Sequence, residues 1–324
     1  MRESSSGRRG GLGAGAPSLG LRATRAVVAV LTNVFKVILF VVVTIREPLA
    51  LAWLRLNVLL FQNVGLARRL ARPEESPLPP RCVVVVGDGN AEGFGDWITF
   101  GTVGGIAPRL EGLLHADRRV RQRWHVLNMG ATGASSEAWL PAWAGPPERF
   151  AWLSLKPSAP LWDQVFGLAT RAREAATADV TLLMLGASDP AVGLTAPASW
   201  ANIRALAAAI VEATGGVVYV ATVPLAPSVT DVYLAQLNIH ITHYFDDEQS
   251  PDEAAHFRRG PDLFQYFRSP RAGDDLEANF AWGGRILSSR GYAAAARLWA
   301  DTLAMDLVRI EYDALAAALT SGGA

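Results

Sequence analysis

An α/β fold, with a parallel sheet covered by helices on both faces, is predicted from residue 81 onward by three observations. The first is a set of short, apolar runs at Cys82–Val86, Trp124–Asn128, Val180–Leu185 and Val217–Val223. The second is what lies between and after them: helix-like stretches at Ile106–Ala116, Asp163–Thr177 and Trp200–Ala213, and an Ala-rich helix over Ser289–Ala318. Strands that are apolar throughout and separated by helices are buried on both faces. The third is a glycine directly after each of three strands, Gly87, Gly130 and Gly186. Sites in such sheets gather at the carboxyl ends of strands, so these three loops converge on one rim.

Composition narrows the function classes. The 324 residues carry 30 basic and 30 acidic side chains, and this neutral balance gives no electrostatic reason to expect nucleic acid as a partner. Hydrophobic residues make up 50%, enough for one core and a surplus for a membrane segment. The single cysteine, Cys82, lies inside an apolar run and reads as a small buried hydrophobe; alone it forms no internal disulfide.

The chain divides into four parts. Residues 1–25 are a basic tail rich in Gly, Ser and Arg, a composition that builds no core. Its Arg8-Arg9 pair lacks the adjacent apolar stretch of a twin-arginine signal. Residues 26–72 are expected to attach the protein to a membrane. From Ala26 to Ile45, 16 of 20 positions are apolar, and twenty helical residues span roughly 30 Å, one hydrocarbon core. The Val, Leu, Ile and Phe residues there favour insertion by roughly 4–8 kcal/mol, against about 3 for Lys36. A buried helix of the globular domain is the competing reading.

Pro48 to Ala71 is amphipathic: Arg55, Gln62 and Arg69 share one helical face, and Leu51, Leu54, Val58 and Phe61 the other. The apolar pattern continues through Ala50-Leu51-Ala52, so the sequence reads as one uncleaved N-terminal anchor. Its side of the membrane stays open, because basic residues flank both ends. Residues 73–80 form a stiff Pro-rich linker, and residues 81–324 the globular domain.

Four blocks in that domain carry a family resemblance. They are Gly87-Asp88-Gly89 through Gly93, Asn128 to Gly133, Gly186-Ala187-Ser188-Asp189, and Gly283-Gly284-Arg285-Ile286 before Gly291-Tyr292. In order and placement they resemble the SGNH, or GDSL-type, hydrolases, over roughly residues 81–305. The resemblance implies a flavodoxin-like three-layer sandwich and an ester-hydrolase site. It would put a nucleophilic Ser at Gly89, an oxyanion-hole Gly at Gly133 and an oxyanion-hole Asn at Ser188. It would put the Asp and His of the triad at Gly283 and Ile286. Only Gly133 matches.

Acyl transfer through a serine needs a hydroxyl, a base within hydrogen-bond reach, and donors aimed at the oxyanion. Gly89 forms no acyl-enzyme, Ile286 accepts no proton, and Gly283 orients no imidazole. Without its triad such a site retains at most ~10³–10⁴-fold over water. The expectation is therefore a membrane-attached, catalytically inactive pseudo-hydrolase. Its pocket would bind an acyl or acetylated small ligand, or a protein partner. The alternative is an active esterase, lipase or O-acyltransferase using displaced groups.

Other motifs point elsewhere with less force. Ser135 and Ser136 are hydroxyls close to the second block, but ordinary loop hydroxyls explain them. His240 and His243, with Asp246 and Asp247, have a spacing that suits a metal, yet a polar helix end accounts for them as well. Gly87-x-Gly89-x-x-x-Gly93 resembles a dinucleotide turn, but its third glycine is one position late and Phe94-Gly95-Asp96 is expected to delay the helix. No metal and no cofactor are expected.

Overall fold

The computed structural model describes residues 80–98, 104–143, 161–166, 178–269 and 275–321. The tail, the anchor region and residues 73–79 of the linker lie outside the described residues. Among the described residues five strands occur: β1 (Arg81–Gly87), β2 (Trp124–Asn128), β3 (Ala178–Met184), β4 (Val217–Val220) and β5 (Phe257–Arg259). The helices after β1 are α1 (Gly89–Glu92), α2 (Phe94–Ile98) and α3 (Ile106–Ala116). After β2 come α4 (Leu161–Val165) and then, beyond β3, α5 (Ala196–Thr214). The remainder are α6 (Val232–His243), α7 (Pro251–Ala254), α8 (Leu263–Arg268) and α9 (Ser289–Ser321).

All strand pairings are parallel, in the order β2-β1-β3-β4-β5. That is the flavodoxin-like order, whose switch point lies between β1 and β3. Successive side chains of a strand point to opposite faces, and β1 shows why its apolar run has no polar alternation. Val84 and Val86 join one core with Trp200 and Ile203 of α5 and Leu237 of α6. Val83 and Val85 join the other with Leu110 of α3 and Trp299 and Leu303 of α9. The sheet is thus the middle of three layers. Cys82 is buried on the α5 side.

Local signals set the helix bounds. The Thr195 side chain caps α5 by accepting from Ala198 N–H, Pro197 stands in its first turn, and Gly215 closes it at φ +68°. In α9, Tyr292, Ala295, Ala296, Trp299, Leu303 and Leu307 form the buried stripe. Glu311, only 7% exposed, then accepts from Arg121 N–H and Gln122 N–H and from the Trp124 indole, all at 2.8–2.9 Å. Among the described residues no helix is long and apolar enough to cross a membrane.

Several expected bounds shift. Gly87 is the last residue of β1 rather than the first after it, and Gly130 and Gly186 each lie two residues beyond their strands. β3 begins at Ala178, because Asp179 pairs with Arg81 and accepts Cys82 N–H at 3.0 Å, extending the contact with β1. β4 ends at Val220 because the backbone is then claimed from the side. Asn238 of α6 accepts Val223 N–H at 2.7 Å and donates to Val223 O at 2.9 Å. Of the stretch Asp163–Thr177, the described part is helical only to Val165, and residues 167–177 are outside the description. The edge strand β5, Phe-Arg-Arg, has no apolar run to announce it.

Candidate active site

Asp88 closes β1 and caps α1, accepting Asn90 N–H at 3.0 Å. The same carboxylate accepts the backbone N–H groups of Ala187, at 3.0 Å, and Ser188. The third block is thereby fastened to the first at the switch point. Asn90, 3% exposed, reaches the fourth block: its amide donates to Arg285 O, and its carbonyl accepts Leu287 N–H, both at 3.1 Å. These two bonds bracket Ile286. The second block is held by backbone contact. Ala131 N–H donates to Gly87 O at 2.9 Å, and a β-carbon on Gly130 would lie 2.2 Å from Glu92 N. Glycine is required there for the approach.

Four of the five sequence-proposed positions lie in, or directly beside, segments joined to one another by these contacts. Gly89, first residue of α1, has ordinary space around a β-carbon: its nearest neighbours would be Thr132 Oγ1 at 3.5 Å and Phe94 Cβ at 3.6 Å. Gly133 follows Thr132 at φ +82°. Ser188 is half-buried, beside Asp88. Ile286 is half-buried, its Cγ2 3.0 Å from where a Gly95 β-carbon would be. Gly283 stands apart. It is exposed at φ +67° with open space around it, and among the described residues no hydrogen bond links it to the other four.

Electrostatics here are dominated by two buried acids. Burial, and to a smaller degree the charge of Asp189, push Asp88 up to about 7, against the lowering effect of its three backbone N–H bonds. Asp189, fully buried, accepts Ser136 N–H and Ser136 Oγ–H, each at 2.7 Å. Tyr292 is held well above the ordinary tyrosine range by burial, its hydroxyl taking Gly95 N–H at 3.3 Å and facing Gly89 O at 3.4 Å. Enclosed space is small: a cavity of about 10 Å³ beside Asp88, Asn90 and Thr222, room for roughly one water. A groove of about 220 Å³ runs between α6 and α8, lined by Leu225, Val229, Ile239 and Phe264. Val229 also contacts the fourth block, at Gly284, and Asp231 on the groove pairs with Arg285 at 2.9 Å.

Ser135 and Ser136 are buried, and Ser136 is committed to Asp189. His243 engages Glu248 at 2.9 Å and Asp247 at 3.6 Å at the end of α6. Among the described residues no group of three or more His, Cys, Asp or Glu is placed to hold a metal ion. Phe94-Gly95-Asp96 does not delay helix formation as expected: α1 starts at Gly89, and Phe94–Ile98 is itself helical. Three residues of the site escaped the sequence reading: Asn90, Glu92 and Thr132. Each sits inside a recognised block, but only packing reveals that the blocks meet through them.

No protein-family model matches the chain, and no curated protein matches it. Among solved structures it is similar to a lipase/acylhydrolase from Enterococcus faecalis, at 17% identity over 70% of this chain and 96% of that one, with a TM-score of 0.45. It is similar also to the psychrotrophic esterase EstA from Pseudoalteromonas sp., at 13% identity over 70% and 98%, TM-score 0.45. A putative lipolytic protein of the G-D-S-L family from Desulfitobacterium hafniense matches at 12% over 68% and 99%, TM-score 0.44. With five parallel strands in the order 2-1-3-4-5 between two helical layers, the described domain is a flavodoxin-like three-layer α/β sandwich, the architecture that the resemblance implied.

Proposed function

We propose that this is a membrane-attached SGNH-type scaffold without the family's catalytic triad, a pseudo-hydrolase whose site serves binding. The observation that carries the reading is the contrast at residue 89. The frame around it is knit by buried hydrogen bonds to Asp88 and Asn90, while residue 89 itself is a glycine with ordinary van der Waals room where a nucleophile's side chain would stand. Glycine has no hydroxyl, and Ile286 has no basic atom. The cavity beside Asp88 is too small for an acyl group, so the apolar groove between α6 and α8 is the better place for one. Residues 26–72 would supply the membrane attachment. A protein partner at the same face is compatible with this reading.

A short-chain ester assay, run with a serine-directed covalent probe on the full chain, tests the proposal. The expected result is no serine labelling and no turnover beyond the slow background of an activated ester. Clear turnover with any serine labelled would overturn it. The second reading, an esterase or acyltransferase with displaced groups, is favoured by one observation: an exposed hydroxyl paired with a carboxylate beside Gly89.

A further inference from the structure

The space that Gly89 leaves is bordered by a different hydroxyl. A β-carbon on Gly89 would lie 3.5 Å from Thr132 Oγ1 and 3.7 Å from its Cγ2. Thr132 is exposed, and its hydroxyl donates to Glu92 Oε2. The same carboxylate oxygen accepts Thr132 N–H at 2.6 Å.

This pair is not held by surface rotamers alone. Asn128 Nδ2 donates to Glu92 O at 2.9 Å, and Asn128 Oδ1 accepts Gly130 N–H at 3.1 Å. Gly130 presses on the backbone of Ala91 and Glu92, and Ala131 N–H is fixed to Gly87 O. The loop after β2 and the end of α1 are thus locked together, with Thr132 and Glu92 facing each other across the join. Such fixed placement is what a nucleophile–base pair requires. The nearby hydroxyls differ. Ser135 and Ser136 are buried, Ser288 donates to Ala278 O at 2.7 Å, and the Ser188 side chain has no carboxylate partner among the described residues.

We propose that Thr132, with Glu92 as its base, is an acyl acceptor for activated esters. Thr132 Oγ1 attacks the ester carbonyl carbon as its proton passes to Glu92 Oε2. The tetrahedral intermediate expels the alcohol oxygen, which takes that proton, and the acyl group stays on Thr132. Glu92 then takes a proton from an attacking water and returns it to Thr132 Oγ1 as the carboxylic acid leaves. A carboxylate is a weaker base than imidazole, so the substrates are esters with good leaving groups and turnover is slow. The inference rests on the placement of residue 89 at the nucleophile position. It deepens the second reading, an esterase with displaced groups, because the acceptor is not a serine and lies outside the triad positions.

The test uses the full chain and p-nitrophenyl acetate, followed by peptide mapping for the acetyl group. The expected result is acetylation at Thr132, absent in Thr132→Val, kept in Thr132→Ser, and slowed roughly 10²-fold in Glu92→Gln, the usual loss for a missing general base. Thermal melting shows whether each variant is folded, and mapping of the unmodified chain needs no variant at all. Acetylation elsewhere, an unchanged rate in Glu92→Gln, or no acetylation would each overturn the inference. The last result leaves the pseudo-hydrolase reading standing, whereas acetylation of a serine with turnover would remove both.

Discussion

The carboxylate of Asp88 accepts Ala187 N–H at 3.0 Å, so one buried acid ties the end of β1 to the loop after β3 where the strand order reverses. Two further backbone N–H groups, of Asn90 and Ser188, converge on it.

That acid makes stability depend on pH. Burial first, then the charge of Asp189, raise it from 3.8 to about 7. Between these values the folded chain keeps a proton that the unfolded chain has released. Its contribution is therefore present below about pH 4 and is lost as pH rises to about 7, at roughly 1.4 kcal/mol per pH unit. Asp88→Asn should flatten this part of the melting-temperature profile while lowering stability overall, because its amide offers a donor where Ala187 and Ser188 N–H need acceptors. An unchanged profile in that variant would show that Asp88 does not titrate in this window.

Two glycines of the site should respond in opposite ways. Gly89→Ser meets only ordinary contacts and should change stability by less than about 1 kcal/mol. Gly130→Ala drives a β-carbon to 2.2 Å from Glu92 N and should cost about 2–3 kcal/mol. Denaturant melts of the two variants check the contrast, and equal stabilities would contradict the packing of the second block on α1.

Glu311 is a second staple, at the start of the edge strand β2. Glu311→Ala strands three donors, Arg121 N–H, Gln122 N–H and the Trp124 indole, and should cost at least ~3 kcal/mol. Glu311→Gln keeps one acceptor oxygen and should fall between the two. Chemical denaturation measures both, and a near-neutral Glu311→Ala would mean water replaces the carboxylate.

Reinstating Ser at Gly89, Asn at Ser188, Asp at Gly283 and His at Ile286 tests the alignment of the four blocks. We expect measurable esterase activity in the quadruple variant and almost none in any single one, since triad members act as a unit. Gly283 is the weakest position: it is exposed at φ +67°, where Asp is better tolerated than most side chains but no neighbour steers it. A folded quadruple variant without activity would mean the alignment or the site geometry is wrong.

If residues 26–72 anchor the protein, the full chain should stay with membranes through an alkaline carbonate wash. A chain starting at residue 80 should then be soluble and folded, because β1 begins at Arg81. Full-length protein released by the wash would reject the anchor.

Four of the five described strands were legible because burial on both faces leaves no room for polar alternation, so β1 reads Cys-Val-Val-Val-Val, whereas the edge strand β5 carries no such run. The bounds of α5 were less so: its Thr195 cap and closing Gly215 carry the helix from Ala196 to Thr214, beyond the Trp200–Ala213 apolar pattern. That residue 89 has no hydroxyl and residue 286 no imidazole was legible too, because it is a matter of residue type. What the tertiary structure alone decided is who faces whom. Thr132 and Glu92 are forty residues apart and meet only because Gly130 lets two backbones touch. Strand β4 stops at Val220 because Asn238, on a later helix, takes the backbone of Val223. Gly283 belongs to a block yet stands off from the others because its turn opens to solvent. Periodicity reports local burial, which each segment carries within itself, whereas contacts between distant segments depend on how the layers pack.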